Sequence, residues 1–437
     1  MNSDLENKLF LNSDTEQQVD TTWFQRTFKK MEHDSMRGAI FICLITALGT
    51  GIFTLHHLFN QIGVFFAIIL IFAMIMIFSE SMRFITAGFL NNPECKSLGE
   101  LHLTILNRPL AVIYDALFCV YVLLVVIGIQ ASLGKVVYIN FENLIWYLIP
   151  VESGNRNYLT FNNYFPVILG FLLFTMVVQK SVNALRHLSL FSFFIFILLA
   201  FICVFEMPGY YQQLKETGQD NFNMADMNMI GFFQTFGCLI FSFNVTNSYF
   251  AVVTTVQNPN KRRLNKIFSR TFMIIGLLAI VIGLASYLSL GINKTAQTDL
   301  FIFREAKGND FIMYVGRCLL LVSFITAGAV NGHSLKNNLF EIFNIQGRGW
   351  AYQIGMTTLI IGISTITVIF STSITYFVSF AGSFSGTMMV FIFPGLIAYK
   401  VGYYKSKLGK AWVIIFIALF GGFGLVSSYF SFINFFK

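Results

Sequence analysis

Apolar runs separated by short polar segments fill most of this chain. They lie near 38–59, 62–86, 111–138, 163–179, 188–206, 229–251, 268–290, 311–333, 352–370, 375–399 and 411–434. A helix of roughly 20 apolar residues crosses about 30 Å of hydrocarbon, so each run is a candidate span. The pattern predicts an all-α polytopic membrane protein of about eleven transmembrane helices, a single domain over residues 37–437.

Two runs are interrupted. "ALGTGIFTLHHLFNQIG" (Ala47 to Gly63), with three glycines, two threonines, two histidines and an asparagine, interrupts the first. "FSFNVTNS" (Phe241 to Ser248) puts five hydrogen-bonding side chains into eight positions of the sixth. In hydrocarbon, backbone that leaves the helix survives only where protein buries it or it lines a polar cavity. Both breaks are therefore candidate binding segments. Their matching places, about 190 residues apart, point to inverted repeats with a site at the midplane. The alternative for Gly49 and Gly51 is close helix packing, a common use of small residues in membranes.

Composition supports the membrane reading: 56% of residues are hydrophobic and 11% charged, against about 25% charged in soluble domains. The net charge of +8 is explained by topology and calls for no nucleic acid partner. Of 29 Lys and Arg residues, 21 fall in the N-terminal tail, in alternate loops or, as Arg83 and Arg270, in the span ends beside them, six on the opposite side, and Lys135 and Arg317 deeper within spans. Such asymmetry sets the N-terminus in the cytoplasm. The basic segments "NPNKRRLNKIFSR" and "KVGYYKSKLGK" also suit anionic headgroups of the bilayer. Residues 1–36 read as a flexible polar tail, matching neither a secretory nor a transit peptide. Asn293-Lys294-Thr295, expected in an outer loop, fits the N-glycosylation acceptor pattern. The six cysteines show no CxxC spacing, so neither disulfides nor a metal centre is expected. A nucleotide-binding loop is also lacking, and we expect no cofactor and no enzymatic activity.

The sequence resembles the amino acid/auxin permease family, on four stretches. These are "GTGIFTLHHLFNQIG", with its Gly-x-Gly start and closing Gly; "FSFNVTNSYFAVVTTVQNPNKRRLNK"; "FAGSFSGTMMVFIFPGLIAYK"; and "SLGELHLTILNRPLAVIYD". The resemblance implies a LeuT-like 5+5 inverted repeat plus one extra helix. The repeats fall at about 38–206 and 229–399 and the extra helix at 411–434. It departs from the family at His56 and Ala251, where proline is usual, and at Thr246, where an aromatic or histidine is usual. The asparagine that sodium-coupled members place four residues before the first glycine is Ile45 here, so sodium coupling of that type is not expected.

If the first span breaks at Gly49-Thr50-Gly51, the N–H groups of Thr50, Gly51 and Ile52 lie at the positive end of the outer half-helix and suit a carboxylate. An ammonium group needs carbonyls or neutral acceptors, which Ser242, Phe243 and Asn244 are placed to supply. Phe243 is also a candidate aromatic gate. Thr326, Ser383 and Ser385 are candidate polar wall contacts, or else bond their own helices. Mid-span carboxylates are missing, so a neutral amino acid is the better substrate. His56 and His57 are candidates for proton coupling, because histidine changes charge near neutral pH; the alternative is plain hydrogen bonding in an outer vestibule.

The reading is a secondary transporter of neutral amino acids by alternating access, with proton coupling left open, in the plasma or a vacuolar/lysosomal membrane. The rival is a transporter-fold protein without turnover, a structural or sensing subunit with membrane protein partners, for which the mitochondrial inner membrane is the alternative location. An ion channel would need a continuous lined pore, and the sequence offers none.

Overall fold

The computed structural model describes residues 36–148, 165–179, 185–256, 258–304, 311–345, 349–370 and 374–435. The polar tail falls outside them, apart from Met36. Every regular element among the described residues is helical. Among the described residues nine helices are long and apolar enough to cross a membrane, ten with the bent pair of the first run; the run expected at 163–179 is seen there as a shorter apolar helix.

The first span is α1 (Met36–Ala47), a 3₁₀ turn (Thr50–Thr54) and α2 (His56–Ile62), with a bend of 50° between its halves. Gly63, at φ 79°, turns the chain into α3 (Val64–Asn91); a Cβ there would stand 2.7 Å from the Ala225 nitrogen. A short loop helix, α4 (Leu98–Ile105), starts where Ser97 Oγ accepts from the Glu100 amide at 3.2 Å, the usual N-cap bond. Then follow α5 (Arg108–Leu148), α6 (Phe165–Val177) and α7 (Leu185–Glu216). The sixth span is α8 (Met229–Phe243), a 3₁₀ turn (Thr246–Ser248) and α9 (Tyr249–Thr255). After it come α10 (Lys261–Gln297), α11 (Phe311–Ile342) and α12 (Trp350–Phe370). The tenth span joins α13 (Ile374–Ala381) to α14 (Phe393–Val401) through two π-helical turns, and α15 (Lys407–Phe435) is the extra helix. The side from which α1 starts is the tail side; the other is the far side.

Burial separates centre from rim. The sixth and tenth spans are 78% and 72% buried across their apolar windows, whereas α12 and α15 are each 33% buried. The polar and small residues that make the central spans poor membrane helices are those that let them pack. Gly382 of the first π turn lies against the Gly237 carbonyl of α8 with no room for a Cβ. Serines fasten α15 to this centre: Ser427 Oγ donates to the Phe233 carbonyl at 2.5 Å, and Ser379 and Ser431 bond at 2.8 Å. At the rim, Gln130 of α5 bonds Thr365 at 2.7 Å and Ser364 at 2.6 Å on α12. Helices in lipid gain little from apolar contact alone, so close approach and interhelical hydrogen bonds hold the bundle.

One expectation changes. Asn293-Lys294-Thr295 lies in the last turns of α10, beyond a kink at Gly291 (φ 68°), with Thr295 buried, and not in a loop. The α10 pattern continues past the polar residues because Gly291 supplies the turn that keeps Thr295 packed inward.

Candidate functional site

The two broken spans meet at the centre. In the first, Gly49 adopts φ −128°, ψ −147°, and the chain re-enters a 3₁₀ turn at Thr50. The first N–H groups of that turn have no intrahelical acceptor. In the sixth, Asn244 is extended, and its Oδ1 accepts from the Thr246 amide at 2.9 Å and from the Thr246 hydroxyl. Ser248 Oγ donates to the Val245 carbonyl at 2.8 Å. Asn244 and Ser248 thus tie off backbone that the helix abandons. A Cβ at Gly51 would stand 2.6 Å from both Phe241 Cδ1 and Ser242 Oγ. One at Gly49 would meet nothing within 4 Å. The packing use of glycine therefore belongs to Gly51, and the open approach to Gly49.

A cavity of about 10 Å³ lies where the breaks meet, room for about one water. Gly49 and Thr50 line it together with Tyr121, Asn247 and Asn331. Val125, Ile129, Phe241 and Ala327 supply its apolar wall. The Thr50 hydroxyl is fully buried and has no hydrogen-bond partner. Other buried side-chain atoms without a partner are spread through the bundle, and this one sits at the break and lines the cavity.

The remaining expected residues lie off this cavity. Gly51 and Ile52 are buried against neighbouring helices. Ser242 Oγ donates to its own helix at Cys238 O, 2.7 Å, and Thr326 to Val322 O, 2.8 Å. Phe243 packs on Phe78 at 5.4 Å between ring centroids, and Phe241 takes the place at the cavity expected of it. Two residues along a helix reverse the face that a side chain presents. Ser383 bonds Phe380 O at 3.3 Å and Ser431 at 3.4 Å, toward α15. Ser385 Oγ is buried without a partner. Tyr121 and Asn331 went unnoticed in the sequence because single polar residues inside apolar spans give no periodic signal.

On the far side, the segment 298–304 is held from five spans. His56 Nε2 lies 2.9 Å from the Thr298 carbonyl and its Nδ1 2.9 Å from the Phe53 carbonyl. A neutral imidazole has one N–H and satisfies one of these; an imidazolium donates to both. The His57 ring lies tilted against that of His56, 4.2 Å between centroids, beside Asp299. Lys135 Nζ pairs with Asp299 at 3.3 Å and lies over the Phe303 ring. Glu206 pairs with Arg304, whose guanidinium stacks 3.7 Å from the Tyr210 ring centroid. The buried Arg317 donates to the carbonyls of Ile302 at 2.7 Å and Arg304 at 2.9 Å, and Thr375 to that of Asp299 at 2.9 Å.

On the tail side, by contrast, a cavity of about 190 Å³ lies under the site, walled by Asp115, Asn337, Asn338, Glu341 and Asn247. His102 in α4 stacks on Tyr114, at its edge, at 3.8 Å; burial pushes its pKa down to about 4, so it stays neutral at physiological pH. Among the described residues, no group of three or more His, Cys, Asp or Glu is placed to hold a metal ion.

Known proteins match this arrangement. The family model of the transmembrane amino acid transporter proteins covers residues 32–435. The putative amino acid transporter AAT1 of Plasmodium berghei is 23% identical over 338 residues, 74% of this chain and 50% of that protein. The protein of the same name in Plasmodium falciparum is 22% identical over 77% of this chain and 55% of its own length. This chain thus spans about half the length of those two relatives. Vacuolar amino acid transporter 5 of Schizosaccharomyces pombe is 20% identical, with 84% of each chain covered. The crystal structure of MhsT in complex with L-phenylalanine superposes with a TM-score of 0.57 over 93% of this chain and 99% of that one, at 13% identity. That likeness bears out the expected LeuT-like architecture. The chain is a multi-pass integral membrane protein and belongs to the transmembrane amino acid transporter family.

Proposed function

We propose that this protein is a secondary transporter of neutral amino acids, working by alternating access around the cavity between the two broken spans. The observation that carries the reading is the fully buried, unpartnered Thr50 hydroxyl in that cavity, beside Gly49. The positive end of the outer half of the first span (Thr50–Ile62) and the negative end of α8 both terminate there, so a zwitterion is complementary to the two helix dipoles. The substrate carboxylate binds at Thr50 and Gly49, and its side chain lies on Val125, Ile129 and Ala327. No Asp or Glu lines the central cavity, which favours a neutral side chain over a cationic one. At about 10 Å³ the cavity admits a substrate only after the halves of the bundle part.

The coupling ion in this reading is a proton, carried by His56 with His57 beside it. Protonated, His56 bonds both Phe53 and Thr298 and keeps the far side shut; deprotonated, it turns a lone pair toward one of the two carbonyls. The charged groups facing this pair are Asp299 and, through it, Lys135. The Lys and Arg distribution makes the tail side cytoplasmic, and the named vacuolar relative makes a vacuolar membrane a candidate beside the plasma membrane.

The test is uptake of labelled neutral amino acids into proteoliposomes with and without an imposed pH gradient. Saturable uptake that the gradient accelerates is expected. No saturable uptake of any amino acid would overturn the reading.

A further inference from the structure

The central cavity and the tail-side cavity share one side chain. Asn247, in the 3₁₀ turn of the sixth span, lines both. Its Nδ2 donates to Asn331 Oδ1 on α11 at 3.0 Å, and Asn331 also lines the central cavity. This bond therefore bridges the break in the sixth span to α11 between the two cavities.

The orientation of both amides follows from their partners. Asn331 Nδ2 donates to the Ala327 carbonyl, one turn earlier in its own helix, at 2.9 Å. That contact fixes Asn331 with its oxygen toward Asn247, which must then present its nitrogen. The Oδ1 of Asn247 is left buried and without a partner. Two amide oxygens thus stand at the partition, one satisfied only by the other amide's N–H and one satisfied by nothing. An ammonium group carries three donors and bonds more strongly than a neutral amide.

We propose that the Asn247–Asn331 pair is the tail-side gate of the central cavity, opened when the ammonium group of a substrate bonds the unpaired Asn247 Oδ1 and draws that amide off Asn331. Released from Asn331, the Asn247 side chain is free to turn into the 190 Å³ cavity beneath it, and the two spaces join. Asn247 is on this account a specificity-determining residue, because a ligand without an ammonium group leaves the gate shut. The ammonium step rests on the proposed function; the gate itself does not.

The experiment uses the full chain with its six cysteines replaced and Val125→Cys as reporter in the central cavity, in vesicles exposing the tail side to a membrane-impermeant thiol reagent. Labelling of the parent should be slow. Asn331→Ala removes the acceptor, and Asn247→Asp replaces the donor with an acceptor of the same size; each should raise the labelling rate about tenfold, as expected for loss of one net hydrogen bond. Asn247→Asp keeps the question answerable if Asn331→Ala does not fold. A parent labelled as fast as the variants, or variants as slow as the parent, would overturn the gate.

The ammonium step is read from binding of L-alanine and L-phenylalanine against their des-amino analogues, propionate and 3-phenylpropionate. The parent should prefer the amino acids, and Asn247→Leu should shrink that preference by about tenfold. An unchanged preference overturns the step. If the parent binds no amino acid, the proposed function falls and the ammonium step with it, while labelling still decides the gate.

Discussion

The far and tail sides of the central cavity are closed by different chemistry. On the far side, side chains from five spans hold one segment: Lys135 with Asp299, Glu206 with Arg304, Arg317 on two of its carbonyls, Thr375 on a third, and His56 on a fourth. On the tail side, one neutral amide pair stands between the site and a cavity of about 190 Å³. Buried ions deprived of their partners are strongly destabilising, whereas a single neutral hydrogen bond contributes only about 0.5–1.5 kcal/mol net. The structure is therefore firmly shut on one side and lightly latched on the other, and on the proposed function the tail side is the one that opens first.

Substitutions sharpen this contrast. The largest effect is expected from Glu206→Gln, which leaves the buried Arg304 guanidinium without its carboxylate; a loss of about 3–5 kcal/mol should appear as a lower melting temperature and as new labelling of the far side. A stability loss no greater than that of an exposed ion pair would contradict the lock. Next is Gly51→Val. Its side chain enters the space of Phe241 and Ser242, so overpacking of about 1–3 kcal/mol is expected, measured by thermal unfolding.

Thr50→Val separates stability from binding. Because the hydroxyl has no partner, its loss should leave the melting temperature unchanged or raise it, while apparent substrate affinity falls about tenfold. The smallest effect is expected of His56→Gln, which should barely alter affinity but flatten the pH dependence of uptake that the proposed proton coupling requires. On the proposed coupling, protonation of His56 strengthens far-side closure and loss of that proton weakens it. A variant that keeps the parent's profile would remove His56 from coupling.

Much of the fold was legible because span length and polar breaks are first-order consequences of the bilayer. Both interruptions fall where "LGTG" and "FSFNVTNS" predicted them, and the extra helix occupies 407–435. The site was legible in part. Gly49 and Thr50 line the cavity, because a glycine and a threonine at a break are unusual enough to be noticed. Which residue of "FSF" faces inward was not legible, since Ser242 turns to its own helix and Phe243 to Phe78, leaving Phe241 at the wall. Nor were Tyr121 and Asn331, whose role depends on how α5 and α11 pass the breaks. The far-side lock was half visible: Lys135 and Arg317 stood out as charges within spans, but their partners lie in a connecting segment whose path follows from the packing.

The central claim is that the space beside Gly49 receives an amino acid. Binding of labelled L-phenylalanine, L-alanine and other neutral amino acids to the purified protein and to Gly49→Ala tests it most directly. A Cβ at Gly49 meets no neighbour within 4 Å, so the variant should melt with the parent. The account predicts saturable binding in the parent and its loss in this folded variant. Undiminished binding in Gly49→Ala would contradict it.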